Sequence, residues 1–285
     1  MVITPEQAPQ LSPVFAGKRG RLLFRLGLKV TGIDHVNELH QSVEDQGIAP
    51  GPDFAKGLLD GVGVDFRIGN PERLQLPDGP FIVIANHIYG HLDGICLVDL
   101  LGHVRPQTKV MVNEFLMWIH GLAPNFIAVN PVTNASKGTT ATSVSGVKSA
   151  LAQLHAGEPL AIFPSGAVAD VKPFKGWKLE EREWQDAAIR LIRKARVPVV
   201  PIRFFDRNSR FYYALGLLDY RVRFARLFHE LFNKRGTHPR LAIGPTISVA
   251  QQDAVPDDQF KAFLRSSVYD MPLPQEFTLR SQLWK

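Results

Sequence analysis

The chain has 285 residues, of which 45% are hydrophobic and 21% charged. This composition is typical of a globular protein with a buried core, and it excludes a disordered or low-complexity chain. The net charge is +6, but no run of residues reaches the roughly twenty consecutive apolar positions of a membrane-spanning helix.

The first residues do not have the pattern of a signal peptide. Pro5, Glu6, Pro9 and Pro13 occur there without a basic start or an apolar centre, which predicts a soluble or peripheral protein. The single cysteine, Cys96, cannot form an internal disulfide and favours a reducing compartment. We expect it to be a small buried hydrophobic residue, with a nucleophile as the alternative.

The positive charge is concentrated in two regions. Between Glu6 and Asp34 there are five Lys or Arg and no acidic residue, and residues 203–240 contain nine Lys or Arg against three acids. Basic patches of this kind indicate an anionic partner. Because no nucleic-acid recognition motif accompanies them, we expect an anionic membrane surface rather than a nucleic acid.

Residues 15–32 are predicted to form an amphipathic helix. One face is apolar and the neighbouring face is basic. The apolar face holds Phe15, Leu22, Leu23, Leu26 and Val30, and the basic face holds Lys18, Arg21, Arg25 and Lys29. This pattern is typical of a helix lying on a membrane, and a helix packed on its own domain is the alternative.

A second helix is predicted at 34–47, followed by a break at Gly47, Pro50, Gly51 and Pro52. We place a boundary near residue 62. Residues 1–62 would then form a helical, membrane-surface segment, and residues 63–285 an α/β domain.

Strands and helices alternate after that boundary. Strands are predicted at 64–68, 81–85, 109–112, 126–130, 160–163, 197–202 and 241–247, and helices at 94–101, from 114, at 140–156 and at 181–195. This order predicts an α/β fold with a mixed, largely parallel sheet flanked by helices. The two prolines of 197–202 predict an edge or end position, and ligands of such sheets bind at the carboxyl ends of strands.

The strongest local signal follows the apolar strand 81–85. Five polar side chains occur within eight residues: Asn86, His87, Tyr89, His91 and Asp93. A carboxylate beside an imidazole can keep one ring nitrogen protonated and make the other a base for a substrate hydroxyl. The alternative is a polar turn in which Asp93 caps the following helix.

At this point the chain resembles the glycerolipid acyltransferase family, which includes the 1-acylglycerol-3-phosphate acyltransferases. Asn86-His87, five residues and then Asp93 match the longer first motif of its haemolysin-like branch, which includes O-acyltransferases of amino-acid lipids. Three further stretches match later motifs in order, over about residues 64–250. They are 113–116 with 126–130, 163–168, and 197–202.

The resemblance implies roles for individual residues. His87 would remove the acceptor's proton, and Asp93 would orient His87. The substrate-binding residues implied or suggested nearby are Asn86, Asn113, Phe163, Pro164, Ser165, Gly166 and Arg182. Ala167 stands where the family usually has glutamate. Other polar residues of this loop that could bind the acceptor's head are Asp170, Lys172 and Lys175, unless the loop is simply solvated.

The resemblance also implies the substrates. The donor would be acyl-CoA or acyl carrier protein, both of which are acidic. The basic region 203–240 could bind either donor, or its cations could instead contact membrane lipids or keep the protein soluble. No metal or other cofactor is required. The acceptor would be a lysolipid, either lysophosphatidate or a monoacylated amino-acid lipid, and Ala167 favours the second. Such an enzyme of membrane phospholipid or lipid metabolism is expected in the cytoplasm, peripheral on the inner face of the cell membrane.

Two rival interpretations remain open. His87, His91 and Asp93 have the ligand types of a metal-dependent hydrolase, although their spacing is not that of a metal motif and no downstream histidine cluster completes it. Alternatively, the chain is a non-catalytic lipid-binding member of the fold, which Ala167 allows and the intact His87 and Asp93 oppose.

Overall fold

The computed structural model describes residues 17–129, 141–172, 178–218 and 220–284. The predicted N-terminal helices are present as Gly17–Thr31 (α1) and Ile33–Asp45 (α2), while Phe15 lies outside the described residues. The break predicted at 47–52 is followed at once by a further helix, Pro52–Val62 (α3). Pro52 is tolerated in its first turn because the missing N–H has no helical partner there.

The remaining elements follow in chain order. The strands are Arg67–Gly69 (β1), Ile82–Ala85 (β2), Lys109–Asn113 (β3), Phe126–Val129 (β4), Leu160–Ile162 (β5), Asp170–Lys172 (β6), Lys178–Glu180 (β7), Val199–Phe204 (β8), Arg240–Ile243 (β9) and Thr278–Leu279 (β10). The helices are His91–Val104 (α4), Ala141–His155 (α5), Asp186–Ala195 (α6), Arg210–Leu218 (α7), Tyr220–Phe232 (α8), Val249–Asp253 (α9), Asp257–Tyr269 (α10) and Arg280–Leu283 (α11).

Several predicted boundaries shift. The helix predicted at 94–101 begins three residues earlier, at His91. The helix predicted from 114 is a short 3-10 turn, Glu114–Trp118. The helix predicted at 181–195 begins only at Asp186, because residues 178–180 pair with β6 as a two-stranded hairpin. Asn130, the last residue of a predicted strand, lies outside the described residues.

Eight of the strands form one sheet in the order β10-β1-β9-β8-β2-β5-β3-β4. Five of its seven pairings are parallel, and β1–β10 and β8–β9 are antiparallel. The predicted mixed, largely parallel sheet flanked by helices is therefore confirmed.

The edge position predicted for the strand with two prolines is wrong, because β8 lies in the centre of the sheet between β2 and β9. Pro198 precedes the strand, and its carbonyl accepts from Ile82 N at 2.9 Å. Pro201 lies opposite Gly244, whose N–H donates to the Pro201 carbonyl at 2.8 Å. A Cβ at Gly244 would meet the proline ring at 2.7 Å, so the glycine makes room for proline inside the sheet.

Two hydrophobic clusters cover the two faces of the sheet. Along β2, Val83 and Ala85 face the cluster that contains α2, α3 and α4. Ile82 and Ile84 face the other cluster, to which α5, α6 and α10 contribute. Because β2 is buried on both faces, its sequence is an uninterrupted apolar run. The buried residues of α2 and α3 belong to the same core as the sheet.

The last described residues close one edge of the sheet. β10 pairs with β1, and Arg280 follows it with its side chain buried. Its guanidinium contacts the carboxylate of Asp60 and lies 3.6 Å from that of Asp99, which is fully buried. Burial raises the pKa of Asp99 to about 6, while Arg280 and His103 oppose the rise.

Within the described ranges, no helix is both long enough and apolar enough to cross a bilayer.

Candidate active site

The polar motif after β2 brings two of its side chains together. His87 Nδ1 lies 2.9 Å from Asp93 Oδ2, with Asp93 fully buried and His87 about one-fifth exposed. A carboxylate at this distance holds the proton on Nδ1, which leaves Nε2 as the nitrogen that can accept one. The predicted pairing of an imidazole and a carboxylate across a five-residue turn is present in the geometry.

Asp93 also shapes the turn that carries it. The same oxygen, Oδ2, accepts the backbone N–H of Tyr89 at 2.8 Å and of Gly90 at 3.0 Å. Gly90 has a φ of 87°, which favours glycine, and it precedes the first residue of α4. Asp93 is thus the third residue of α4 rather than the cap before it, and its carboxylate binds the helix start and His87 at once.

A second carboxylate contacts the backbone of His87. The Glu181 side chain accepts a hydrogen bond from the His87 N–H. It also accepts one from Trp184 Nε1 at 3.2 Å and one from the Tyr269 hydroxyl. Burial raises the pKa of this carboxyl, and the three donors oppose the rise.

Glu181 is not among the site residues that the sequence predicts. It lies 94 residues after His87, beyond any local spacing, and only the fold brings it to the carboxyl end of β2. Ala169 N donates to the His87 carbonyl at 2.8 Å. The backbone N–H and carbonyl of His87 are therefore both hydrogen-bonded to residues of the 163–181 region.

The predicted motif at 163–166 packs against His87. The Phe163 ring stacks on the imidazole, with centroids 4.3 Å apart and an interplanar angle of 29°. Gly166 has a φ of 63° and turns the chain after β5. Pro164 and Ser165 are buried, and Ser165 Oγ donates to the Ala167 carbonyl at 3.0 Å. Phe163 and Gly166 face the site, whereas Pro164 and Ser165 support the turn.

A cavity of about 230 Å³ opens beside His87. Most of its wall is apolar and comes from α4, from β3 to β5 and from the turns after β3. The apolar wall contains Ile95, Met111, Val112, Phe115, Leu116, Ile119, Leu122, Phe126, Val129 and Ile162. Gly94 also lines it, and a Cβ at that position would meet no atom within 4 Å. The cavity therefore combines a polar group, His87, with an apolar interior.

Two arginines line the polar end of the cavity. Arg182 is exposed at its mouth. Arg223 is buried and forms an ion pair at 2.7 Å with Asp170, which is partly exposed. The Lys172 side chain and Lys175 lie outside the described residues. Of the polar residues proposed for the acceptor's head, Arg182 therefore lies at the cavity.

Two predicted substrate-binding residues have backbone partners. Asn86 donates to the Phe204 carbonyl at 2.9 Å and accepts from Phe204 N at 2.7 Å. Both polar atoms of this buried amide are therefore bound to β8, and they hold the start of the polar motif against the sheet. Asn113 lines the cavity, and its Oδ1 accepts from Phe115 N at 3.4 Å.

The histidine between His87 and Asp93 does not join them. His91 stacks on Phe228, with ring centroids 4.6 Å apart, and its two ring nitrogens are buried without a hydrogen-bond partner. Burial, aided by the nearby His87, lowers its pKa to about 4. No group of three or more His, Cys, Asp or Glu in the described ranges is arranged to hold a metal ion.

Several cations of the basic region 203–240 form hydrogen bonds with other parts of the chain. Arg203 donates to the Met271 carbonyl at 2.7 Å, Lys234 to the Arg207 carbonyl at 2.8 Å, and Arg235 to the Val62 carbonyl at 3.3 Å. Arg240 forms hydrogen bonds with Asp206. These partners lie within the chain, while Arg207, Arg210 and Arg235 of the same region are exposed. Cys96 is buried, as predicted.

Comparison with known proteins places this geometry in context. The family model described as Acyltransferase matches residues 5–271. A lyso-glycine lipid O-acyltransferase from Phocaeicola vulgatus is 26% identical over 266 residues, which cover 90% of this chain and 91% of that protein. A lyso-glycine lipid O-acyltransferase from Bacteroides thetaiotaomicron is 26% identical over 71% of this chain and 73% of its own.

Among solved structures, the 1-acyl-sn-glycerophosphate acyltransferase PlsC from Thermotoga maritima matches with a TM-score of 0.49 and 15% identity. The match covers 77% of this chain and 75% of that one.

Proposed function

The chain belongs to the acyltransferase family, and on that premise we propose that it moves a fatty acyl group from a thioester donor to the hydroxyl of a lysolipid. One observation supports this most directly. The hydrogen-bonded pair of His87 and Asp93 lies at the reactive end of a cavity whose interior is apolar. A base and a hydrocarbon-sized space are the two features that this reaction requires.

His87 acts as the general base. Its Nε2 takes the proton of the acceptor hydroxyl while the oxygen attacks the thioester carbonyl carbon. Asp93 holds Nδ1–H and stabilises the imidazolium that forms. When the tetrahedral intermediate collapses, the carbon–sulfur bond breaks, and the imidazolium returns the proton to the departing thiolate. The products are an ester and a free thiol, so no redox step or external base is needed.

The fixed backbone of His87 supports this role. Glu181 binds its N–H, Ala169 binds its carbonyl, and Phe163 packs on the ring. With the main chain and the ring plane both held, Nε2 keeps one direction without rearrangement at the moment of reaction. The apolar interior accommodates the acyl chain and excludes water, which disfavours hydrolysis of the thioester.

The acceptor is a monoacylated amino-acid lipid. Two relatives are named as lyso-glycine lipid O-acyltransferases. In addition, Ala167 stands where the glycerolipid acyltransferase family usually has glutamate, so an acidic side chain is missing from that point of the acceptor site. Arg182 at the cavity mouth suits an acidic head group. Lysophosphatidate is the alternative acceptor, and its rate of acylation is compared with that of the amino-acid lipid.

The protein works on the cytoplasmic face of the cell membrane as a peripheral enzyme. Leu22, Leu26 and Val30 of α1 are exposed, and they stand beside the exposed cations Arg25 and Lys29. An amphipathic helix of this composition binds anionic lipid surfaces. The donor is acyl-CoA or acyl carrier protein.

A product analysis tests the proposal. Purified protein is incubated with labelled acyl-CoA or acyl carrier protein and with N-acyl-glycine, N-acyl-ornithine or lysophosphatidate, and the lipids are separated. We expect a diacylated amino-acid lipid and release of free thiol. A thiol release that is independent of any hydroxyl acceptor would identify a thioesterase, and no turnover with any pair would overturn the proposal.

A further inference from the structure

The α7–α8 hairpin carries a concentration of exposed apolar side chains. Ten large hydrophobic residues are exposed in the described ranges, four of them on this hairpin and four on α1. The four of the hairpin are Phe211, Leu217, Leu218 and Val222. Three of these lie around its tip, and Leu218 is 80% exposed. Such a cluster on a protein surface marks an interaction site.

The other side of the same hairpin lines the cavity. Tyr212 from α7, and Arg223 and Leu227 from α8, contribute to the wall near His87. One pair of helices therefore has an inner surface on the reactive site and an apolar outer surface in solvent. Whatever covers the outer surface therefore contacts the same two helices that line the cavity.

The hairpin is held rigidly against the domain. The buried Arg223 guanidinium pairs with Asp170 at 2.7 Å and donates to the Ala169 carbonyl at 3.2 Å. A Cβ at Gly216 would lie 2.7 Å from Arg223 Cδ, so the glycine allows α7 to approach this side chain. The exposed leucines thus lie at the tip of an anchored element.

Helix α1 is joined to the hairpin. His229 Nε2 lies 3.0 Å from the Val30 carbonyl, and a Cβ at Gly32 would lie 2.9 Å from the His229 ring. The exposed apolar residues of α1 and of the hairpin therefore belong to neighbouring helices. Cations accompany both groups: Arg25 is exposed on α1, and the Arg226 guanidinium lies 5.4 Å above the Phe211 ring.

We propose that the tip of the α7–α8 hairpin inserts into an anionic lipid bilayer beside α1, so that the cavity receives its lipid directly from the membrane. Apolar side chains with cations beside them, here Arg25 and Arg226, are the chemistry of an interfacial membrane element. The cations complement an anionic lipid surface, which an apolar contact with a protein partner would not require. The inference rests on the proposed function, because it assumes a lipid acceptor, and it adds a second membrane contact to that of α1.

Introducing negative charge at the tip tests whether this surface binds lipid. The double variant Leu217→Glu/Leu218→Glu is compared with the single variant Leu273→Glu, which changes an exposed leucine after α10. Binding is measured by sedimentation with vesicles of phosphatidylcholine, with and without phosphatidylglycerol. We expect the double variant to bind anionic vesicles about tenfold more weakly or worse, and Leu273→Glu to bind like the wild type. Wild-type binding by the double variant would overturn the proposal.

Activity separates this inference from the proposed function. With an acceptor embedded in vesicles, the double variant should lose most of its rate. With a short-chain acceptor dissolved in water it should keep the wild-type rate, because His87 and the cavity are unchanged. If neither protein transfers acyl groups to any acceptor but only the wild type binds vesicles, the hairpin assignment stands and the proposed reaction fails.

A fluorescent label reports whether the tip enters lipid. Because Cys96 is the single cysteine and is buried, a cysteine introduced by Leu218→Cys can be labelled selectively with an environment-sensitive dye. We expect a blue shift on adding anionic vesicles, and none for Leu273→Cys. A tip that is already shielded without lipid, with a shift that depends on protein concentration, would identify a second copy of the chain as the occupant and overturn the proposal.

Discussion

His87 Nδ1 and Asp93 Oδ2 lie 2.9 Å apart, so the side of the imidazole that faces the protein is occupied and the opposite nitrogen is left for chemistry. This relationship predicts that His87→Ala abolishes acyl transfer, since a positioned base contributes about 10²–10⁴-fold to rate. The rate is measured as free thiol released with acceptor present. His155→Ala, at an exposed position on α5, should keep full activity. Wild-type turnover by His87→Ala would exclude it as the base.

Asp93→Asn should lower kcat by on the order of 10⁴-fold, because the amide cannot hold the imidazole in the same tautomer and stabilise its cation. Binding of the acyl donor should change little, since Asp93 is buried beneath His87 and does not line the cavity. The comparison of kcat with KM checks this. A large rise in the donor's KM with unchanged kcat would assign Asp93 to binding instead.

Gly94→Leu should shorten the acyl chain that the enzyme prefers. A side chain at this position points into open cavity space, and each excluded methylene is worth about 10-fold or more in kcat/KM. Donors of increasing chain length are compared. Gly79→Leu is the matched control, because Gly79 is exposed, has no neighbour within 4 Å of its Cβ position and lies outside the cavity wall. An unchanged length profile would place the acyl chain elsewhere.

Glu181→Gln tests whether the second carboxylate positions His87. The amide NH₂ cannot accept the hydrogen bonds that Glu181 now receives, and one unsatisfied buried donor costs about 1–3 kcal/mol. We expect kcat to fall about tenfold. The fall should appear in kcat rather than in KM, because Glu181 contacts the backbone of His87 and does not line the cavity.

A merely structural role for Glu181 gives a different result. The variant would then unfold at a lower temperature, and kcat measured well below that temperature would equal that of the wild type. Tyr269→Phe removes one donor to Glu181 and leaves the contact of Glu181 with His87, so this variant should keep the wild-type kcat.

Stability should decrease in mild acid because two histidines are buried as neutral rings. Burial lowers the pKa of His91 to about 4 and that of His40 to about 3, from an ordinary value of 6.5. As the pH falls below 6.5, the unfolded chain binds protons that the folded chain does not. Each histidine then removes about 1.4 kcal/mol of unfolding free energy per pH unit, down to its folded value.

Urea unfolding across this range measures the slope. His91→Phe should reduce the slope by the contribution of one proton, about 1.4 kcal/mol per pH unit. Phenylalanine can retain the stack on Phe228 and does not titrate. His155→Phe, at an exposed position, should leave the slope unchanged. An equal slope in wild type and His91→Phe would show that His91 is accessible to protons in the folded protein.

Local sequence patterns predicted the elements that build the reactive turn. The apolar run of β2 and the polar residues after it lie within a few positions of one another, so their pairing follows from the turn itself. Membership of the acyltransferase family, which the ordered motifs indicated, is confirmed. The mixed sheet followed from the alternation of apolar strands and amphipathic helices.

Contacts between distant segments were not predicted. Glu181 reaches His87 only because the β6–β7 hairpin folds back over the end of the sheet. No periodic pattern in the sequence indicates this contact. The central position of β8 depends on Gly244 opposite Pro201. No helix was predicted for α7 and α8, where arginines interrupt the apolar pattern. The structure shows one of these cations, Arg223, buried in an ion pair with Asp170.

The closing strand β10 has a practical consequence for handling the protein. Its pairing with β1, and the burial of Arg280 between Asp60 and Asp99, mean that a deletion beginning before residue 278 would uncover an unpaired sheet edge. It would also leave two carboxylates without their cation. An uncovered edge invites self-association of chains. Purification tags attached after residue 284 therefore need a spacer, and shortened versions designed for crystallisation should retain this segment.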